Sequence, residues 1–459
     1  MNYSVEDPIC APVVVPASVY VQRRRALAEQ LRLRGGGVAV IHTSPEVTRN
    51  RDSHYPYRWD SYFYYLTGFQ EPEAALVIRV SGTESEAILF CRDKNEEREI
   101  WDGFRYGPAA ARERFGFDAS HSITALDEQM AKLLADQPSV FYALGSEPAL
   151  DAQMQRWLTA VRAQARAGVS TPAQAFDVRV FIDEMRLIKD KHEIAIMRRA
   201  GQISAQAHIR AMRASHAGRF EYEVEAELLH EFRRHGSQAP AYGSIVAGGR
   251  NACVLHYREN NAPLKDKELL LIDAGCELDG YASDITRTFP VNGRFTGGQR
   301  ALYDIVLAAQ AAAIGQTKPG KRFTDPHDAA VRVLTQGMID CKLLSGSVDG
   351  AIESGTFRRF YMHRTSHWLG MDVHDCGEYR EPGEAATKDG KPWRKLKPGM
   401  VLTIEPGIYV QAAADIPKQF HDVGIRIEDD ALVTKKGCEL LTTQVPTKAS
   451  DIEALMRER

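Results

Sequence analysis

Two separated segments of the chain repeat one pattern, and this repeat constrains the fold more than any other feature. Residues 264–275 read LKDKELLLIDAG, and residues 396–407 read LKPGMVLTIEPG. Both begin Leu-Lys. Both carry Leu then Ile at matched positions, and both end acid-x-Gly, with Asp273 and Glu405 as the acids. A second apolar stretch with its own acid follows each copy: Asp284 in GYASDITRTF and Glu428 in GIRIEDDALV. Paired helical stretches precede each copy, at about 181–216 and 221–236, then at 298–316 and 325–341. The pattern predicts a duplicated domain whose halves each bring two carboxylates to the centre. Chance similarity between two β-hairpins is the alternative.

The remainder of the chain suggests a smaller domain in front. Residues 17–34, 123–136 and 148–167 have helical character, with short apolar runs at 37–44, 61–69, 74–80, 86–92 and 139–145. Strands and helices at such spacing predict an α/β domain around one sheet. Helical periodicity fails over 169–180, around Pro172. The expected division is 1–178 for the N-terminal domain and 179–459 for the C-terminal domain, α+β overall. The first ~15 residues contain Glu6 and Asp7, with Pro12 and Pro16 interrupting the apolar part. They lack a basic n-region and read as a disordered tail, not a signal peptide.

The 58 basic and 61 acidic residues leave a net charge of -3, which provides no electrostatic footprint for nucleic acid or an anionic membrane. No apolar run is long enough to span a bilayer. The seven cysteines are scattered without a C-x-x-C, so neither a disulfide framework nor a thiolate zinc site is expected, and a reducing cytoplasm fits.

The acids carry the chemistry. Along LLLID, alternation puts Leu269, Leu271 and Asp273 on one face. A lone charge at the end of such a strand is costly to bury. The same argument covers Glu405 after VLTI, Glu428 after GIRI, and Asp284 on a strand face with Thr286 and Thr288. Each acid alone also reads as a turn or strand-edge residue in water. Together they need compensation, and two divalent cations would balance four carboxylates. Histidines cluster in YMHRTSHWLGMDVHDCG, at His363, His367 and His374, while His256 follows an apolar run in CVLHYREN. No Glu follows His363, so this is not a zincin H-E-x-x-H. A hard, oxygen-rich donor set favours Mn²⁺, Co²⁺ or Mg²⁺-like ions. Metal-assisted hydrolysis is the matching chemistry.

Asp273, Asp284, His367, Glu405 and Glu428, in this order and in these motifs, resemble the five metal ligands of the pita-bread metallopeptidases. Within that family the chain is most similar to the aminopeptidase P branch. The likeness includes the first domain, at residues 45–77 and in EIWDGFRYG at 99–107. The resemblance implies a pseudo-twofold catalytic domain holding two divalent ions, Mn²⁺ foremost, with Co²⁺ or Zn²⁺ as alternatives. It implies that Asp273 binds one ion, Asp284 and Glu428 bridge both, and His367 and Glu405 bind the other. The nucleophile would be a water held between the ions, with Glu405 moving its proton. His256 and His374 would stabilise the tetrahedral intermediate, and His363 would line the proline-side pocket. Arg426 would pair with an acid of the first domain, Asp52, and Trp101 would roof the site of a neighbouring subunit.

The implied activity is release of an N-terminal residue from peptides with proline at position two, by a cytoplasmic homo-oligomer, dimer or tetramer. An Xaa-Pro bond is a tertiary amide with no N–H, so a shape-fitted pocket suits it. Prolidase, an Xaa-Pro dipeptidase, is the nearest alternative. A catalytically inactive binding module of the same fold is the remote one. One local departure is Arg364 after His363, where some relatives carry Gly. If it faces the cleft, preference at the far side would shift.

Overall fold

The computed structural model describes residues 13–388 and 390–458, so the expected disordered tail lies outside the described residues up to residue 12. The chain divides into two compact units, one spanning Val14–Arg186 and the other beginning at Leu187. The junction therefore falls after Arg186, not after residue 178. The helix Arg179–Leu187 explains the shift. Its Asp183 accepts a hydrogen bond from the Tyr62 hydroxyl at 2.8 Å, and the Arg186 guanidinium sits 4.8 Å from the Tyr62 ring centre. These contacts tie the helix to the N-terminal unit.

The N-terminal unit is built on six strands in the order Ala119–Ser122, Glu84–Cys91, Ala75–Ser81, Gly37–His42, Ser139–Tyr142, Gln174–Asp177. Ala75–Ser81 runs antiparallel to both its neighbours, and the remaining pairings are parallel. The apolar strands are buried on both faces, as parallel sheets require. Val40, Val77 and Phe90 pack with Met130, Leu134 and Trp157 from the covering helices. The apolar run at 61–69 is not a strand. Ser61–Thr67 is a helix, capped where the Asp60 carboxylate accepts from the Phe63 N–H at 2.8 Å. It is buried all round, including Phe63, Tyr64, Tyr65 and Leu66. An apolar stripe of period 3.6 is therefore absent, and the run looks like a buried strand.

The C-terminal unit contains the duplication. The helices Lys191–Ala214 and Glu221–Arg234 precede the sheet Ile245–Gly248, Leu269–Asp273, Thr286–Pro290. The helices Gly297–Gln316 and Asp325–Asp340 precede the sheet Val401–Ile404, Asp429–Val433, Cys438–Leu440. The expected 181–216 helix is broken near Asp190, where a capping box with Glu193 starts a new helix. The halves meet at an isolated bridge, Thr286 to Glu428, with the Glu428 N–H donating to the Thr286 carbonyl at 3.0 Å.

The echoed acid-x-Gly has a steric cause. After Asp273 the chain turns back so closely that a Cβ on Gly275 would lie 1.7 Å from the Ser283 carbonyl oxygen. After Glu405, a Cβ on Gly407 would lie 2.8 Å from the Ile425 carbonyl oxygen. Each glycine lets the strand carrying the second acid approach the first. Overpacking of a closed site costs about 1–3 kcal/mol or more. Gly275→Ala is expected to lower the melting temperature of the metal-free protein and to weaken Mn²⁺ binding by calorimetry. Intact metal affinity in a folded Gly275→Ala protein would sink this explanation.

Candidate metal centre

The acids lie where strands break. Asp273 ends Leu269–Asp273, and Asp284 precedes Thr286–Pro290 instead of lying within that strand as alternation predicted. Glu405 falls between Val401–Ile404 and Gly407–Val410, and Glu428 between Val423–Arg426 and Asp429–Val433. A break releases the side chain from strict alternation and lets all four turn into one cleft. That cleft has a volume of about 320 Å³. Its walls include every residue predicted for the C-terminal domain: His256, Asp273, Asp284, His363, His367, His374, Glu405, Arg426 and Glu428. A larger cavity of about 940 Å³ in the N-terminal unit lacks such a donor cluster and is set aside on chemical grounds.

Donor atoms of Asp284, His367 and Glu428 all lie within 4.8 Å of one another, a spacing that can enclose an ion. His367 Nε2 is 3.4 Å from Asp284 Oδ2 and 3.6 Å from Glu405 Oε1. Its Nδ1 meets the Trp368 carbonyl at 3.0 Å and must donate there. In the neutral ring this fixes the tautomer and leaves the Nε2 lone pair facing the acids, as a metal-ligating histidine requires. Asp273 joins the cluster through the Tyr242 hydroxyl, which contacts Asp273 Oδ1 at 2.6 Å and also Asp284 Oδ1.

Arg426 has three partners within its own unit. Its Nη2 donates to Asp273 Oδ2 at 2.5 Å, its Nη1 to the Tyr409 hydroxyl at 2.8 Å, and its Nε to Thr286 Oγ1 at 3.2 Å. Asp52, the acid expected to pair with it, is exposed in a turn of the N-terminal unit. Tyr409 in turn reaches His363 Nε2 at 2.8 Å, and His363 Nδ1 donates to the Arg364 carbonyl at 2.8 Å. Both His363 nitrogens are therefore occupied, and the ring offers its face. His374 stands 4.4 Å from His367, ring centre to ring centre, and both His374 and His256 are exposed in the cleft. Trp101 is 81 % exposed on the short helix Glu96–Asp102 of the N-terminal unit.

Spacing alone did not reveal several supports. Thr286 Oγ1 donates to Glu428 Oε2 at 2.6 Å. Arg287, fully buried, donates to the Glu428 carbonyl at 2.5 Å and to Asp429 Oδ1 at 2.7 Å. Asp430 accepts from the Asp284 N–H at 3.2 Å. Tyr242 and Tyr409 lie outside the acid motifs, with no sequence signal beyond aromatic type.

The electrostatics describe a site short of positive charge. Burial and then the charges of Asp284 and Glu405 hold the Glu428 carboxyl well above its ordinary range. Burial also raises Asp284, against the hydrogen bond from His367. Glu405 is pushed up to about 7 by burial, against the charges of His367 and Arg426. Burial works to lower His367, yet Asp284 and Glu405 carry it to about 9. Protons are held where cations would relieve the repulsion, so the donor set fits divalent metal. Metal binding must then displace protons.

A raised carboxyl binds more protons in the folded than in the unfolded chain between its two pKa values. For Glu405 that window runs from about 4.5 to about 7. Chelator-treated protein is expected to lose thermal stability as pH rises through this window. Mn²⁺ should restore more stability at pH 7.5 than at pH 5, with proton release seen by calorimetry in buffers of different ionisation enthalpy. A flat pH dependence with no proton release would contradict the charge-starved description.

Known proteins are similar to this chain along nearly its whole length. The sequence model of metallopeptidase family M24 matches residues 195–435, and that of the aminopeptidase P N-terminal domain matches residues 20–142. Xaa-Pro aminopeptidase of Escherichia coli (strain K12) is 44 % identical over 438 residues, covering 95 % of this chain and 97 % of its own. The structure of Pseudomonas aeruginosa aminopeptidase PepP superposes with a TM-score of 0.93 at 46 % identity, covering 97 % of this chain and 99 % of that one. Zinc-substituted E. coli aminopeptidase P in complex with product gives 0.92 at 44 % identity, with the same coverage.

Proposed function

The chain belongs to metallopeptidase family M24, and from that premise we propose how it acts: as an Xaa-Pro aminopeptidase, hydrolysing the bond between an N-terminal residue and a penultimate proline. The observation that carries this reading is the convergence of Asp284, His367 and Glu428 in a cleft also walled by Asp273 and Glu405. All five positions retain metal-binding side chains, which argues against an inactive module. Likeness to aminopeptidase P over nearly the whole chain, first domain included, disfavours prolidase.

In this reading Asp273, Asp284, His367, Glu405 and Glu428 hold two divalent ions, with Mn²⁺ the expected metal. When bound, such ions supply Lewis acidity, polarising a carbonyl and acidifying water. The chain's own groups do the rest. Glu405, whose Oε1 lies 3.6 Å from His367 Nε2 in the cleft, takes a proton and returns it to the departing proline nitrogen. His256 and His374, exposed in the cleft, donate to the oxygen that gains charge. His363 presents a ring with no free nitrogen to the proline, whose amide has no N–H to donate. Arg426 and Tyr242 hold Asp273 in place.

The setting is proposed as cytoplasmic, and the assembly as a dimer or tetramer. Among the described residues no helix is long and apolar enough to cross a membrane. Trp101 with Ile100 and Phe104, at 81 %, 81 % and 66 % exposure, forms an apolar surface suited to a second copy.

Chelated protein given back Mn²⁺, Co²⁺ or Zn²⁺ is expected to release the first residue of Xaa-Pro-Xaa. It should act much more slowly on Xaa-Pro and on a tripeptide without the proline. Glu405→Gln should lower kcat by about 10²–10⁴-fold. Cleavage of the dipeptide alone would assign a prolidase. No cleavage by folded protein with any metal would remove the enzyme reading.

A further inference from the structure

Arg364 lines the same cleft as the metal-site residues and immediately follows His363, the proposed wall for the proline. Its side chain is exposed, and its guanidinium carbon lies 4.6 Å from the centre of the Trp393 ring. Arg380 sits against the same indole at 3.6 Å and donates to the Lys391 carbonyl at 2.6 Å. Stacking thus braces Arg364 without using any of its N–H groups. Among the described residues its side chain makes no hydrogen bond and no ion pair. Arg426, which lines the same cleft, has donors from all three guanidinium nitrogens engaged.

Exposed arginines without partners are common on protein surfaces. Three features set this one apart: it is braced by an aromatic face, it borders the catalytic cleft, and a second cation shares its indole. A guanidinium placed in this way is a fork for a carboxylate. The cleft is then polarised along its length, with acids around the scissile end and a free cation beside the proline wall. A peptide advances roughly 3.3–3.6 Å per residue. The group that follows proline lies one such step beyond the His363 wall, and Arg364 is the next cleft-lining residue along the chain.

We infer that Arg364 is a specificity residue that receives a carboxylate downstream of the penultimate proline, either the free C-terminus of a tripeptide or an acidic side chain at position three. The inference rests on the aminopeptidase reading above. Arg258 is the competing receptor. It borders the same cleft, packs over Gly243, and makes no side-chain ion pair among the described residues.

The test compares kcat/KM for Ala-Pro-Ala as the free acid and as the C-terminal amide, and for amidated Ala-Pro-Glu-Ala and Ala-Pro-Gln-Ala. The Mn²⁺-loaded full chain is used as wild type, Arg364→Met and Arg258→Met. Wild type is expected to prefer the charged member of at least one pair about tenfold, through KM, as a charge-assisted contact predicts. The pair that shows the preference identifies the source of the carboxylate. Arg364→Met should abolish the preference, whereas Arg258→Met should keep it. Because the preference is a ratio within one sample, partial misfolding does not imitate its loss. No preference in wild type, an unchanged preference in Arg364→Met, or its loss in Arg258→Met instead, would each overturn the inference. Failure to cleave any of the peptides would overturn the aminopeptidase reading as well.

Discussion

Like charges gathered in one place govern this molecule. Asp273, Asp284 and Glu428 are buried and Glu405 lines the same cleft, at the ends of strands that are buried along their length. Burying one unpaired carboxylate costs several kcal/mol. Four of them would defeat the fold unless the surroundings answered them. The answer is layered. Arg426 and Tyr242 engage Asp273, Thr286 engages Glu428, and His367 lies between Asp284 and Glu405. Behind these, Arg287 and Asp429 form a pair with almost no exposure that anchors the Glu428 backbone. Burial first, and the neighbouring acids after it, favour protons held on Glu405 and Glu428. Divalent cations complete a balance that the side chains leave unfinished.

Much of this arrangement was legible in the sequence because it is carried by pattern. The echo of LLLIDAG and VLTIEPG marked the two halves, and the structure provides the steric reason for its glycines. The acids and histidines that the cleft brings together were equally visible, since their residue types are unusual beside apolar strands. What was not legible depended on partners far away in sequence. For Arg426 the sequence suggested Asp52 as partner, and Asp273, 153 residues earlier, is the acid the fold places beside it. Tyr242 and Tyr409 look like ordinary core aromatics. Ser61–Thr67 defeated pattern reading for a different reason: a helix buried on every side has no polar face to reveal its period. The domain junction moved for a third reason, since Asp183 and Arg186 belong by contact to Tyr62.

His363 illustrates how geometry narrows chemistry. As a member of a histidine cluster it suggests acid–base work. With Tyr409 donating to one nitrogen and the Arg364 carbonyl accepting from the other, the ring has no free site for proton exchange. Its charged form is held down to about 3, by burial first and then by Arg426. The same residue type seven positions further along the cleft wall from His367, at His374, is exposed and free to respond to what enters. Neighbouring imidazoles thus divide between a fixed surface and an adaptable donor.

The bridge between Thr286 and Glu428 joins residues 142 apart in the chain. Each half can form its own helices and hairpins from local sequence, but neither half alone can bring all the donors together. Contacts of such long separation are slow to find because loop closure must precede them. The centre is therefore among the last parts of the unit to exist during folding, and its occupancy certifies that both halves have docked. A metal ion held by donors from both halves would therefore report completed assembly as well as act as a reagent.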